Sequence, residues 1–208
     1  MSSMKPPHDS LRFDLHLIAS WIQAGSRVLD LGCGEGNLLE HLVRHKKVIG
    51  SGIERNENRV AACIQKGLTV LQGDINKEVQ DYPDNSFDYV ILSQTLQQVY
   101  APDTLIRSML RIGNKGIVSF PNFSHWRVRL QLLTTGHAPV TRQLPYQWYD
   151  TPNIRVITLK DFRRFANEVG YRILKEVAIE TQAPNRQGTI IRVLPDIRAT
   201  YGIFLIGS

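Results

Sequence analysis

Leu11, Leu15, Ile18 and Ile22 fall on one face at helical spacing, which predicts a first helix capped by Ser10 and ended by Gly25. The pattern then shortens. Arg27 to Leu31 is a compact apolar run closed by glycines, as expected of a buried strand. Glu35 to His45 returns to helical spacing, with Leu38, Leu39, Leu42 and Val43 on one side. Further strands are predicted at Lys47 to Ile53, Leu68 to Leu71, Phe87 to Leu92 and Gly116 to Phe120. Helices are predicted at Glu57 to Lys66, closed by Gly67, and at Thr104 to Ile112, closed by Gly113. Residues 1–8 read as a loose arm.

Strands alternating with helices predict an α/β fold with a doubly wound, mostly parallel sheet. The near-continuous apolar strands fit a sheet covered on both faces, and the connections should be right-handed crossovers. After Pro121 the rhythm breaks. Residues 122–156 read as an insertion, helical from about Trp126 to Leu133 and loop beyond. Thr158 to Val169 is a clear helix, with Thr158 and Asp161 in a capping-box pattern and Gly170 as its stop. Tyr171 to Glu180 and Tyr201 to Leu205 are the last strand candidates, and 181–200 is ambiguous. No internal repeat appears, and residues 1–208 are expected to form one domain.

Composition narrows the picture. A chain of 208 residues, 42% hydrophobic, can bury a core without disulfides or metals. Cys33 and Cys63 match no zinc or redox spacing and read as reduced thiols. The longest charge-free stretches, Tyr89 to Pro102 and Leu130 to Thr141, contain polar residues and fall short of the roughly 20 apolar residues of a membrane span. The opening MSSMKPPHDS has no apolar signal region, so a cytoplasmic protein is expected. The net charge of +6 is compatible with an anionic partner, but no long basic run is present and nucleic acid is not favoured.

The chemistry concentrates after the first strand, in Val28-Leu29-Asp30-Leu31-Gly32-Cys33-Gly34-Glu35-Gly36. Glycines that follow a strand and open a helix let a nucleotide-like ligand approach backbone. The third glycine comes one residue too early for a dinucleotide fingerprint, and Asn37 stands in its place. Asp30, two residues before Gly32, suits an ammonium-bearing ligand better than a pyrophosphate. S-adenosylmethionine has that ammonium and no phosphate. Glu54, after the second strand, can accept two ribose hydroxyls. Asp74, in Gly73-Asp74-Ile75 after the third, can accept from an adenine amino group. Singly, each acid could equally be a turn acid or a helix cap.

Together, VLDLGCGEG, Glu54, GDI and Phe87-Asp88-Tyr89-Val90 resemble the class I S-adenosylmethionine-dependent methyltransferase superfamily. The resemblance implies a seven-stranded sheet with an antiparallel last strand. It also implies a site for S-adenosylmethionine or S-adenosylhomocysteine formed by Asp30, Gly32, Cys33, Gly34, Gly36, Glu54, Asp74, Ile75 and Ser93. A narrower resemblance covers nearly the whole chain. LRFDLHLIASWI, Ser93-Gln94-Thr95-Leu96-Gln97-Gln98 and SFPNFSHWRVRLQLLTTGHAPVTRQLPYQWYDTPNIR are similar to the methionine biosynthesis family called MetW. That similarity implies association with homoserine O-acyltransferase.

A catalytic group is harder to find. Methyl transfer needs mainly positioning and sometimes a base. The space after strands four and five would be lined by Ser93, Gln94, Gln97, Gln98, Pro121, Asn122, His125 and Trp126, facing a possible small-molecule acceptor. No N-P-P-Y segment follows strand four. His125 is the one plausible base, with a surface or hydrogen-bonded histidine as the alternative. Asn122, Trp126, Arg127, Arg129, Tyr146 and Trp148, with Arg142, Tyr149 and Arg155 nearby, read as a lid or partner surface, where Trp, Tyr and Arg are enriched.

Overall fold

The structure, a computed structural model, describes residues 11–207 apart from 142, 184 and 185. The expected Ser10 cap, the arm at residues 1–8 and Arg142 lie outside the described residues. The elements run α1 (Phe13–Trp21), β1 (Arg27–Leu31), α2 (Asn37–Lys46), β2 (Ile49–Glu54), α3 (Glu57–Gln65), β3 (Thr69–Gln72) and α4 (Ile75–Glu78). They continue with β4 (Phe87–Ser93), α5 (Pro102–Ile112), β5 (Gly113–Pro121), α6 (Trp126–Thr135) and α7 (Leu159–Val169). The chain closes with β6 (Arg172–Ala183), β7 (Arg186–Ile190), α8 (Pro195–Arg198) and β8 (Tyr201–Gly207).

One sheet holds the described strands in the order β3-β2-β1-β4-β5-β8-β6-β7. The first five in that order are parallel, and β8 enters antiparallel between β5 and β6. The order reverses between the paired strands β1 and β4, so the connections that leave them run to opposite sides, which leaves a crevice above their carboxyl ends.

The sheet is covered on both faces because its strands are apolar on both. Side chains alternate faces along a strand. Leu29 and Leu31 of β1 therefore join Val90, Leu92, Ile106, Met109 and Phe162 on the α5–α7 side. Val28 joins Leu15, Ile18, Leu38, Leu42 and Ile91 on the α1–α2 side. Asp30 shares the Val28 side of the pleat, a carboxyl at an otherwise apolar level.

Several boundaries differ from expectation. The sheet has eight described strands rather than seven, because β7 pairs antiparallel with the end of β6 through Ile179↔Ile190, Glu180↔Thr189 and Thr181↔Gly188. Its sequence carries no apolar alternation, so its strand conformation comes from a neighbour's open edge. Gly25 does not end the first helix. Ile22 does so in extended conformation, and Gly25 turns the chain into β1 with its N–H on the Lys46 carbonyl. In contrast, the Thr158–Asp161 capping box and the Gly170 stop of α7 are both present.

Candidate functional site

The glycine loop after β1 is held by the end of β2. Gly32 N–H and Cys33 N–H both donate to the Ile53 carbonyl, at 2.8 and 3.1 Å. Glu54 Oε2 accepts from Gly34 N–H at 2.9 Å, and Oε1 accepts from Asn56 N–H at 2.9 Å. Each carboxylate oxygen keeps a second acceptor site, enough for two ligand hydroxyls. Gly36 adopts φ +74° at the start of α2, and a Cβ there would meet Leu68 Cδ1 at 2.5 Å and Cys63 Sγ at 2.9 Å. Gly34 also has a positive φ, yet a Cβ there would meet nothing within 4 Å. Gly36 is thus fixed by packing, whereas Gly34 presents bare backbone to open space.

Asp30 is only 3% exposed, and no described residue donates a hydrogen bond to its carboxyl. Burial first, and the neighbouring Glu54 charge second, lift its pKa to about 7. A buried carboxylate without a donor is costly unless a cation offsets it. The donor set fits an organic cation carrying a nucleoside diol: Asp30 for the charge, Glu54 for the hydroxyls, Gly34 for close backbone contact. Cys33 lies in the same loop, half-buried, and burial followed by the Asp30 charge pushes its thiol far up. It is a neutral wall group and no nucleophile.

Asp74 is both a cap and a free acceptor. Its Oδ1 accepts from Asn76 N–H and Nδ2, each at 2.9 Å, which caps α4. The Asn76 backbone N–H holds the carboxyl below its ordinary pKa. Its Oδ2 has no partner among the described residues. Ile75 begins α4 and packs partly against the main core. Ser93 ends β4, with its hydroxyl 3.0 Å from that of Ser119. At the next residue, Gln94, the chain turns with φ +53°.

Asp14, which lies outside every sequence motif of the site, belongs to the same region. It is 5% exposed on α1, and its carboxylate accepts from Arg12 at 2.7 and 3.1 Å and from Gln94 Nε2 at 2.7 Å. The left-handed turn after β4 is therefore tied to α1. The signal was present: Leu11, Asp14, Leu15 and Ile18 follow i, i+3, i+4, i+7 spacing, which puts Asp14 on the buried stripe.

The residues after β5 separate into two groups. Asn122 is buried, not on a surface. Its Nδ2 donates to the Asp196 and Ala199 carbonyls, and its Oδ1 accepts from the Ser124 N–H and hydroxyl. That fully engaged amide ties β5 to α8. His125 is also buried and caps α6, its Nδ1 accepting from Arg127 N–H at 3.3 Å. With Nδ1 as acceptor, Nε2 carries the proton of the neutral ring, and burial keeps the imidazole pKa below its usual value. Its lone pair is committed to the helix, so His125 has none to offer as a base. Trp126, Arg127, Arg129, Tyr146 and Trp148 are exposed, Trp148 at 76%. Arg129 Nε donates to the Ser124 carbonyl.

Comparison with known proteins gives a consistent picture. The family described as "Methionine biosynthesis protein MetW" matches residues 12–206. A Rhodopirellula baltica protein named bifunctional methionine biosynthesis protein MetXA/MetW is 35% identical over 181 residues, covering 83% of this chain and 29% of its own length. A Ralstonia nicotianae protein named ubiquinone biosynthesis O-methyltransferase is 32% identical over 178 residues, covering 79% of this chain and 72% of its own. Among solved structures, a SAM-dependent methyltransferase from Archaeoglobus fulgidus superposes with TM-score 0.71 at 15% identity, covering 97% of this chain and 95% of that one. The fold is the Rossmann-like methyltransferase fold. No described helix is long and apolar enough to cross a membrane.

Proposed function

Since the chain belongs to the MetW family of methionine biosynthesis proteins, we propose that it binds S-adenosylmethionine or S-adenosylhomocysteine and serves a homoserine O-acyltransferase as an accessory or regulatory partner in the cytoplasm. The observation that carries the ligand assignment is the donorless, buried Asp30 beside Glu54, above a loop whose Gly34 backbone faces open space. In this reading Asp30 holds the ammonium, Glu54 the ribose hydroxyls and the free Oδ2 of Asp74 the adenine amino group. Ile75 flanks the base, and Ser93 closes the far side.

The partner assignment draws on the Rhodopirellula relative, whose name joins MetXA to MetW in one chain. Fusion raises the local concentration of one module at the other. Separate chains need a docking surface instead. Trp126, Arg129, Tyr146 and Trp148 are exposed, and such residues dominate binding energy at interfaces. Bound ligand would regulate the partner if its affinity differs between the free and docked states. Co-purification with the acyltransferase, and acyltransferase assays with and without this protein and S-adenosylmethionine, test the reading. A complex with altered acyl transfer supports it; no complex and no change in rate ends it.

A second reading, methyl transfer to a small molecule, is favoured by the Ralstonia relative's name and the same crevice. Bound S-adenosylmethionine supplies an electrophilic methyl on a sulfonium. With His125 committed as a cap, the chain's contribution would be orientation, from the Ser93–Gln94 turn that Asp14 fixes. Labelled S-adenosylmethionine with a metabolite panel tests this; bound ligand without labelled product counts against it. RNA is the less favoured acceptor, and salt-dependent RNA binding is its test.

A further inference from the structure

A cavity of about 450 Å³ opens at the same end of the sheet as the glycine loop but beyond β5, between α6, the residues Val140, Thr141, Gln143 and Leu144, and the end of β6. Its size is that of a small-molecule site. Among the described residues that line it two are charged, and oppositely, Arg127 from α6 and Glu180 from β6. Neither has an ion-pair partner among the described residues. Elsewhere in this fold neighbouring charges do pair: Glu176, four residues before Glu180 on the same strand, is bound by Arg163 at 2.6 Å. Arg127 lies 5.2 Å from the Trp126 ring centroid, a contact that leaves its charge unneutralised.

A second observation points to a ligand. His125 lines the same cavity at 6% exposure, and its Nε2 has no hydrogen-bond partner among the described residues. Its Nδ1 accepts from backbone, so the orphaned nitrogen is a donor awaiting an acceptor. Gln131 and Thr181 add neutral polar groups, and Gln143 Nε2 closes one wall by donating to the Thr181 carbonyl at 3.2 Å. The described lining, with one cation, one anion and neutral donors, matches a small molecule that carries both charges. A phosphate or nucleotide calls for several cations together, and the carboxylate of Glu180 would repel it.

We propose that this cavity binds a small zwitterion of the α-amino-acid class, its carboxylate on Arg127 and its ammonium on Glu180. The site is separate from the proposed cofactor crevice. That crevice lies over β3, β2, β1 and β4, whereas this cavity lies over β5, β8 and β6.

The test is calorimetry on the full chain with the proteinogenic L-amino acids, then with the N-acetyl and amide derivatives of whichever binds. A free amino acid should bind, and each derivative, lacking one charge, should bind at least tenfold more weakly. Arg127→Gln and Glu180→Gln should each weaken binding by a similar factor, while the His125 Nε2 nitrogen resonance should move on addition of the ligand. S-adenosylmethionine binding, measured on the same samples, should be unchanged in both variants, which reports that they are folded and scores the two sites separately. The proposal is overturned if no amino acid binds at millimolar concentration. It is equally overturned if binding survives both substitutions, or if it is abolished by Asp30→Asn instead, which would place the amino acid in the cofactor crevice.

Discussion

Asp30 and Glu54 stand on neighbouring parallel strands and on the same face of the sheet. The register pairs Asp30 with Gly52, and Glu54 lies two residues further along β2. Glu54 spends its charge on backbone N–H groups of the glycine loop and of α3's approach. Asp30 has no such donor, and with pKa lifted to about 7 it is poised between neutral and charged at physiological pH.

Affinity for S-adenosylmethionine should therefore depend on pH. A cationic ligand prefers the ionised carboxylate, so binding should strengthen as pH rises to about 7 and level off above it. Below that value the association constant should fall up to about tenfold per pH unit. Calorimetry near pH 7 in buffers of different ionisation enthalpy should show net proton release. A flat profile between pH 5.5 and 8 would contradict this role for Asp30.

The same carboxyl should cost stability when the ligand is absent. Its native pKa of about 7 lies above the unfolded value near 3.9. Between those pH values the native chain holds a proton that the unfolded chain releases. Stability should fall as pH rises through this window, with the loss complete above about 7. Asp30→Asn should consequently stabilise the free protein at pH 8, by about 2–4 kcal/mol, with the gain disappearing near pH 4. Urea unfolding at the two pH values reads this out.

Two alanine substitutions in the loop should separate packing from ligand access. Both meet the roughly 1–2 kcal/mol cost of left-handed backbone. Gly36→Ala adds a clash with Leu68 and Cys63 and should lose about 1–3 kcal/mol more. Gly34→Ala meets no protein atom, so its larger effect should fall on S-adenosylmethionine affinity. Paired denaturation and binding curves distinguish them.

Asp14→Ala should reach the site indirectly. It strands Arg12 and releases Gln94 from α1, at a cost of roughly 1.5–3 kcal/mol for a charged hydrogen-bonded pair. The Gln94 backbone resonance should broaden or shift in the variant; an unchanged resonance would mean that the turn after β4 holds itself.

Trp148→Ala tests the docking surface. The side chain is 76% exposed, so stability should change by no more than about 0.5 kcal/mol. Retention of the acyltransferase on the immobilised protein should drop at least tenfold if Trp148 anchors the contact. Equal retention by variant and wild type would move the interface elsewhere.

The parallel half of the fold was readable from sequence because each strand is a short apolar run and each helix carries a clear stripe, as in Val28 against Leu38 and Leu42. The same runs placed the strand ends, and with them Asp30, Glu54 and Asp74. Strand β7 was not readable, because Arg186 to Ile190 is ordered by pairing with β6 rather than by its own pattern. Nor could spacing reveal that Asn122 and the His125 lone pair are consumed by backbone contacts, since those partners lie on and just after α8 and within α6 itself. The cavity between Arg127 and Glu180 joins residues far apart in the chain, and no local motif announces it.

Titration of S-adenosylmethionine into the wild type, Asp30→Asn and Glu54→Gln at pH 8 tests the central assignment most directly. The wild type should bind, and each variant should lose roughly 1.5–3 kcal/mol, or about 10- to 100-fold in affinity. A wild type that does not bind, or variants that bind as tightly as it does, would contradict the assignment.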